Sequence, residues 1–151
     1  MATNRKVRDK PLTGADYRAL AEFRRQLRQF LLFSEDAARQ AGLVPHHHQA
    51  LLAIKGLAHP TVGDLAEQLG IKSHSAAELV NRLVVAKLVR RVTDATDRRR
   101  SYLILTAAAE RRLESLTHAH RAELKRLATL WGPLFEALAS EAPNHKPSAR
   151  V

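Results

Sequence analysis

The chain has 151 residues, of which 45% are hydrophobic, with a formal net charge of +10 and no cysteine. This length holds one ordinary domain with a real core, and the missing thiols exclude disulfides, thiolate zinc sites and thiol redox sensing. No apolar run approaches a membrane span and MATNRKVRDK lacks an apolar signal core, so a cytoplasmic protein with no membrane partner is expected.

Residues 1–11 carry Arg5, Lys6, Arg8 and Lys10 and end at Pro11, which reads as a basic disordered arm. From residue 12 to 42 a long helix is predicted, because Leu20, Phe23, Leu27, Phe30, Ser34, Ala37 and Ala41 recur at steps of three and four. Gly42 stops it as a C-terminal cap. Leu31, Leu32 and Phe33 add more apolar surface than a small domain covers alone, so a partner chain is expected. Pro45 opens a second helix that runs to about Gly56. Thr61, with Asp64 three positions on, predicts a capping box for a third helix whose inner face is Val62, Leu65, Ala66 and Leu69 and whose end is Gly70.

Ser73 and Ser75 are both candidate caps for a fourth helix, with Glu78 as the capping partner of Ser75. Its core face is Ala76, Leu79, Val80 and Leu83. The opposite face carries Ser73, His74, Ser75, Ala77, Glu78, Asn81 and Arg82, short polar groups suited to base edges and an arginine suited to phosphate or guanine. Leu88–Thr93 reads as a strand whose alternation is interrupted by Arg90-Arg91. Asp94-Ala95-Thr96-Asp97 is rich in turn formers, Arg98-Arg99-Arg100 extends the tip, and Ser101–Leu105 returns as a strand. Thr106 is the expected cap of a last long helix ending near Trp131, with Leu113, Leu116, His120, Leu124, Leu127 and Leu130 or Trp131 as its stripe. Gly132-Pro133 is expected to break it before a short helix around Leu134, Phe135 and Leu138, and 141–151 reads as a flexible tail. Helix, turn, helix and an arginine-tipped ribbon make a winged helix-turn-helix. Lys87, Arg90, Arg91, Arg98, Arg99 and Arg100 fall within fourteen residues, which localises the excess charge and favours a phosphate-binding face.

On these residues the stretch from Pro45 to Thr106 resembles the MarR family of winged-helix transcriptional regulators. The most specific part is Asp94-x-x-Asp97-Arg98-Arg99 with Leu105-Thr106 following six positions after Arg99; Leu65-Ala66, Arg82-Leu83 and Leu88-Val89-Arg90 also match. The resemblance implies a mainly α fold with a small β-wing, in which a DNA-binding domain at 43–106 is flanked by dimerisation helices at 12–42 and 107–140. It implies a homodimer on a palindromic double-stranded DNA operator, acting as a repressor, with Leu20, Phe23, Leu27, Leu124, Leu127 and Trp131 at the dimer interface. Ser73, His74, Ser75, Ala77, Asn81 and Arg82 would read the major groove. Arg98, Arg99 and Arg100 would form the DNA-binding wing, Arg99 at the family's minor-groove arginine, with Asp94 and Asp97 orienting it. A small-molecule effector, if there is one, would bind between the dimer helices and the winged domains. Three departures stand out: Lys87 occupies a turn usually given to glycine, Ala109 or a neighbour replaces a glycine after Leu-Thr, and little chain is left for a last dimerisation helix.

Other chemistry is weighed against this. His46-His47-His48 cannot converge on one ion, since successive helical positions diverge by about 100°; a metal site would need His46 or His48 with His118 or His120 across a dimer, so no metal or cofactor is expected. Asp97 is read as pairing with an arginine rather than as a catalytic carboxylate, and Glu78 as a capping residue. No Gly-rich phosphate loop, cysteine nucleophile or convincing carboxylate pair supports an enzyme. An architectural, weakly selective DNA binder remains the alternative that charge alone would fit.

Overall fold

A computed structural model describes residues 11–139 of the chain; the expected basic arm, apart from Pro11, and the expected tail lie outside the described residues. The elements in order are α1 (Gly14–Gln40), α2 (Pro45–Leu57), α3 (Val62–Leu69), α4 (Ser73–Val85), β1 (Val89–Thr93), β2 (Ser101–Leu105) and α5 (Ala107–Ala139). The fold is mainly helical with one two-stranded antiparallel ribbon. Two compact units divide it, one of residues 11–29 with 124–139 and the other of residues 30–123, and α1 and α5 run through both. Among the described residues no helix is long and apolar enough to cross a membrane.

In the first unit the outer halves of α1 and α5 meet through aromatic rings. Phe23 packs edge-on to Trp131 at 5.3 Å and against Phe135 at 5.4 Å. Leu127 is fully covered within the single chain, whereas Leu20, Leu27 and Leu124 stay exposed. The start of α1 is fixed by a reciprocal pair: the Thr13 N–H donates to Asp16 Oδ2 at 2.7 Å, and the Asp16 N–H donates to Thr13 Oγ1 at 3.4 Å. The expected break at Gly132-Pro133 does not occur, because α5 continues through both residues to Ala139. Proline removes one helical donor and crowds the preceding turn. Here the rings of Trp131 and Phe135, on either side of Pro133, both pack on Phe23 and hold the helix through it.

The second unit contains the core. Leu51, Ile54, Leu65, Val80, Leu83, Val89 and Leu103 are its fully buried large side chains, so every element from α2 to β2 contributes. Chain reversals follow the expected signals. Gly42 adopts a left-handed φ of 72°, and the Leu43 N–H closes back on the Ala38 carbonyl at 2.9 Å. Thr61 and Asp64 form the capping box of α3, and Gly70 ends that helix with φ 64°. α4 departs from expectation. Its cap residue is Lys72, with no side-chain capping bond, so neither Ser73 nor Ser75 caps it and Glu78 is not a capping-box partner. Ser73 already has helical geometry, which places its side chain on the helix surface instead of behind the first turn.

The ribbon pairs Val89 with Leu105, Arg91 with Leu103 and Thr93 with Ser101. Its base is anchored twice: the Leu103 N–H donates to the carbonyl of buried Pro60 at 2.8 Å, and the Thr106 N–H donates to the Leu88 carbonyl at 3.0 Å. Thr106 is the N-terminal cap of α5 as expected, accepting from the Ala109 N–H at 3.2 Å while its hydroxyl donates to the Lys87 carbonyl at 2.8 Å. Lys87 takes the left-handed conformation usually left to glycine, φ 57°. Ala109 is fully buried in the core.

Candidate nucleic-acid interface

α4 is held by its inner face, where Ala76, Leu79, Val80 and Leu83 are all buried. That leaves Ser73, His74, Glu78, Asn81 and Arg82 exposed on the other side, with Ser75 and Ala77 half-buried at the margin. One helix therefore presents a short-side-chain polar strip ending in an arginine. Such a strip can approach base edges closely because nothing bulky stands in front of it.

The wing tip is ordered by its own acids. Asp94 Oδ1 accepts from the Thr96 N–H at 3.0 Å and from the Thr96 hydroxyl at 3.1 Å, while Oδ2 accepts from the Tyr102 hydroxyl at 3.0 Å. These bonds, the Thr96 amide first and Tyr102 next, hold the Asp94 carboxyl below the ordinary carboxylate range. The Tyr102 hydroxyl is raised in turn, mainly by its bond to Asp94. Asp97 Oδ1 accepts from the Arg99 N–H at 3.0 Å, and the Asp97 carbonyl accepts from the Arg100 N–H at 3.0 Å. Asp97 thus shapes the turn through backbone amides rather than by the arginine ion pair expected for it. Arg98, Arg99 and Arg100 are all exposed, and among the described residues none forms an ion pair. Both aspartates accept hydrogen bonds inside the turn, and the exposed guanidinium groups stand available to an external anion.

A side-chain hydrogen bond joins helix and ribbon beyond their core packing: Arg91 Nη2 donates to Asn81 Oδ1 at 2.7 Å. Sequence reasoning noted Arg91 as an interruption of strand alternation and as one of a basic cluster, not as a partner of α4. The register explains the interruption. Arg91 lies opposite fully buried Leu103, on the core-facing side of the ribbon, where it reaches the exposed end of α4. The other ribbon residue missed by sequence reasoning is Tyr102; an aromatic eight positions after a turn aspartate was the available signal.

Among the described residues no group of three or more His, Cys, Asp or Glu could hold an ion. His48 and His120 do come together, but within one chain: their rings lie 5.0 Å apart, with His120 bonded to the Leu116 carbonyl and to Ser34 Oγ, each at 2.7 Å. A cleft of about 500 Å³ lies between α2 and α5, lined by Leu52, Gly56, Leu113 and Thr117, with the Lys55–Glu110 ion pair at 2.9 Å and Arg121 among its polar groups.

Residues 41–100 match the sequence profile of the MarR family. The chain is 30% identical over 98 residues to YcgE, an HTH-type transcriptional regulator of Bacillus subtilis strain 168, an alignment covering 65% of this chain and 64% of that protein, so it spans less than two thirds of this relative. Among solved structures it resembles a MarR family transcription regulator with a TM-score of 0.66 at 19% identity, covering 81% of this chain and 86% of that one. It also resembles a mutant of MepR from Staphylococcus aureus bound to an oligodeoxyribonucleotide, with a TM-score of 0.62 at 21% identity over 79% and 84% of the two chains.

Proposed function

We propose, from the premise that the chain belongs to the MarR family of winged-helix transcriptional regulators, that it binds double-stranded DNA as a homodimer and represses transcription from a palindromic operator. The observation that carries this reading is the exposed polar face of α4 set beside a ribbon whose three tip arginines form no ion pair among the described residues. MepR, bound to an oligodeoxyribonucleotide in a similar structure, supports DNA as the partner. In this reading Ser73, His74, Ser75, Ala77, Asn81 and Arg82 enter the major groove, and Arg98, Arg99 and Arg100 follow the flanking backbone. Arg99 senses a narrow minor groove by shape and negative potential more than by base identity. Two copies related by a two-fold axis read half-sites about one helical turn, roughly 10 bp, apart.

Residues 12–42 and 107–140 carry dimerisation in this proposal, and 43–106 carry DNA binding. Exposed Leu20, Leu27 and Leu124 support it, with Phe23 and Trp131 partly exposed near them; Leu127, already covered, backs the interface instead of touching the partner. An effector bound in the α2–α5 cleft would regulate the dimer only by binding one spacing of the two reading helices more tightly than another.

Selection of bound fragments from genomic DNA tests the reading. It predicts recovery of palindromes preferred over random duplex, at fixed salt, by about 10³ or more. A preference of only a few-fold gives an architectural binder instead, and a monomeric mass in solution removes the dimer.

A further inference from the structure

We propose that Arg91 is a positioning residue that sets which base Asn81 reads, and that the pair together selects an acceptor-rich edge, guanine above all. The proposal rests on the DNA reading above and extends it to a residue outside α4 and outside the wing tip.

Two observations carry it. The first is the bond itself. A guanidinium can only donate, so the Asn81 atom facing Arg91 Nη2 at 2.7 Å is the amide oxygen. The second is the register. β1 alternates Val89 and Arg91 on its core-facing side, and Arg91 stands opposite Leu103, which is fully buried. Arg91 itself stays exposed, so its guanidinium is not buried under the ribbon but lies at the surface, where it meets Asn81 on the exposed strip of α4.

The consequence for recognition follows from donors and acceptors. Asparagine reads adenine through two bonds, its oxygen accepting from the adenine N6 amino group and its amide donating to N7. With Arg91 donating to one lone pair of that oxygen, an adenine amino group is left the other and must approach a positive charge to reach it. What Asn81 presents outward is its Nδ2 amide, a donor, backed by the guanidinium, which is also a donor. Two donors side by side match an edge with two acceptors, and in the major groove guanine offers N7 and O6. The ten-residue separation between the partners hides this unit from any reading of α4 alone.

Binding sites selected from a random duplex pool with the full-length wild type, Arg91→Ala, Arg91→Lys and Asn81→Ala test it, with far-UV circular dichroism checking the fold of each. The wild type is expected to enrich guanine at one position per half-site. Arg91→Ala and Asn81→Ala should each erase that preference, a loss of about tenfold or more in discrimination at that position, and combining the two should cost little beyond either alone. Arg91→Lys, which keeps one donor within reach of the amide oxygen, should keep part of it. In the free protein, Arg91→Ala should also shift the Asn81 side-chain amide resonances. A uniform loss of affinity in Arg91→Ala with every base preference intact makes Arg91 a phosphate contact and overturns the proposal. So does an adenine preference that depends on Asn81. If the wild type enriches no sequence at all, the DNA reading itself fails and takes this inference with it.

Discussion

α4 and the tip of the ribbon both present exposed polar surface, yet they are positioned by opposite means. α4 is placed by burial: Ala76, Leu79, Val80 and Leu83 are at most 3% exposed, and on its outer face Asn81 is the side chain held by a hydrogen bond among the described residues. At the tip, Ala95 to Arg100 bury nothing; the turn is placed by hydrogen bonds from two aspartates and Tyr102. Packing fixes a helix as a rigid body and leaves its surface residues interchangeable. Hydrogen bonding fixes a loop residue by residue, so each acid has a separate job. A substitution under α4 should therefore act on the whole fold, whereas one at the tip should act locally.

The largest expected effect is under α4. Leu83→Ala empties a fully buried position and should lower stability by about 2–5 kcal/mol, measured by urea unfolding. DNA affinity per folded molecule should change far less. Next comes Arg99→Ala, with the opposite signature. Melting temperature should hold while affinity falls by roughly tenfold or more, and the slope of log affinity against log salt should shrink by about one charge. A fall in melting temperature comparable to that of Leu83→Ala would erase the contrast between the two regions.

Asp94→Ala probes the tip without touching a cation. Hydrogen exchange at the Thr96 amide should accelerate, and the Tyr102 hydroxyl should titrate closer to its ordinary value once the bond that raises it is gone. Amides of α4 should keep their protection. Faster exchange in α4 would mean that helix and tip open as one unit.

How legible all this was in the sequence follows the same division. The burial-driven parts could be read directly, because apolar spacing and caps are local: the inner faces of α3 and α4, the Thr61–Asp64 capping box and the Gly42 and Gly70 stops stand where the spacing puts them. The failures came where a long-range contact decides or where a helix start shifts by a residue. Pro133 looked like a helix end until Phe23 on α1 held the rings on both sides of it. Ser73 and Ser75 looked like caps, but the chain enters α4 one residue earlier, at Lys72. At the site, the exposed strip of α4 and the three tip arginines were visible as residue types. The Arg91–Asn81 bond was not, since its meaning depends on strand register.

Acid should test the frame beneath α4. His48 on α2 is 4% exposed, and its proton affinity is lowered first by burial and then by His120. His120 is the titratable group facing it from α5. From α1, Phe30, Phe33 and Ser34 surround His120 without charge, and Glu35 pairs with Arg39. The unfolded chain binds the His48 proton near its ordinary pKa of about 6.5, above the folded value. Stability is therefore complete above that pH and falls as pH drops below it, because the unfolded state takes up the proton first. Melting temperatures between pH 8 and 5 should show this fall, and His48→Asn should flatten it. His47, also lowered chiefly by burial, adds to the same slope.

The smallest expected effect sits at the joint between the two regions. Lys87 holds φ 57°, its N–H donates to the Val84 carbonyl at 3.0 Å, and the next N–H, of Leu88, closes on Leu83 at 2.9 Å. This is a helix-ending turn built on a residue with a side chain. A left-handed conformation costs a non-glycine residue about 1–2 kcal/mol, against which glycine loses roughly 0.5–1 kcal/mol more backbone freedom on folding. Lys87→Gly should therefore raise stability by up to about 1.5 kcal/mol, the largest difference of those two figures. Since the turn itself is unchanged, Thr106 should keep its bond to the residue 87 carbonyl, and α4 should meet β1 at the same angle. Base preference at the Asn81 position should then be untouched, with only a small salt-dependent loss of affinity from the missing charge. A change in base preference would mean that this turn, and not Arg91, sets how α4 faces the groove.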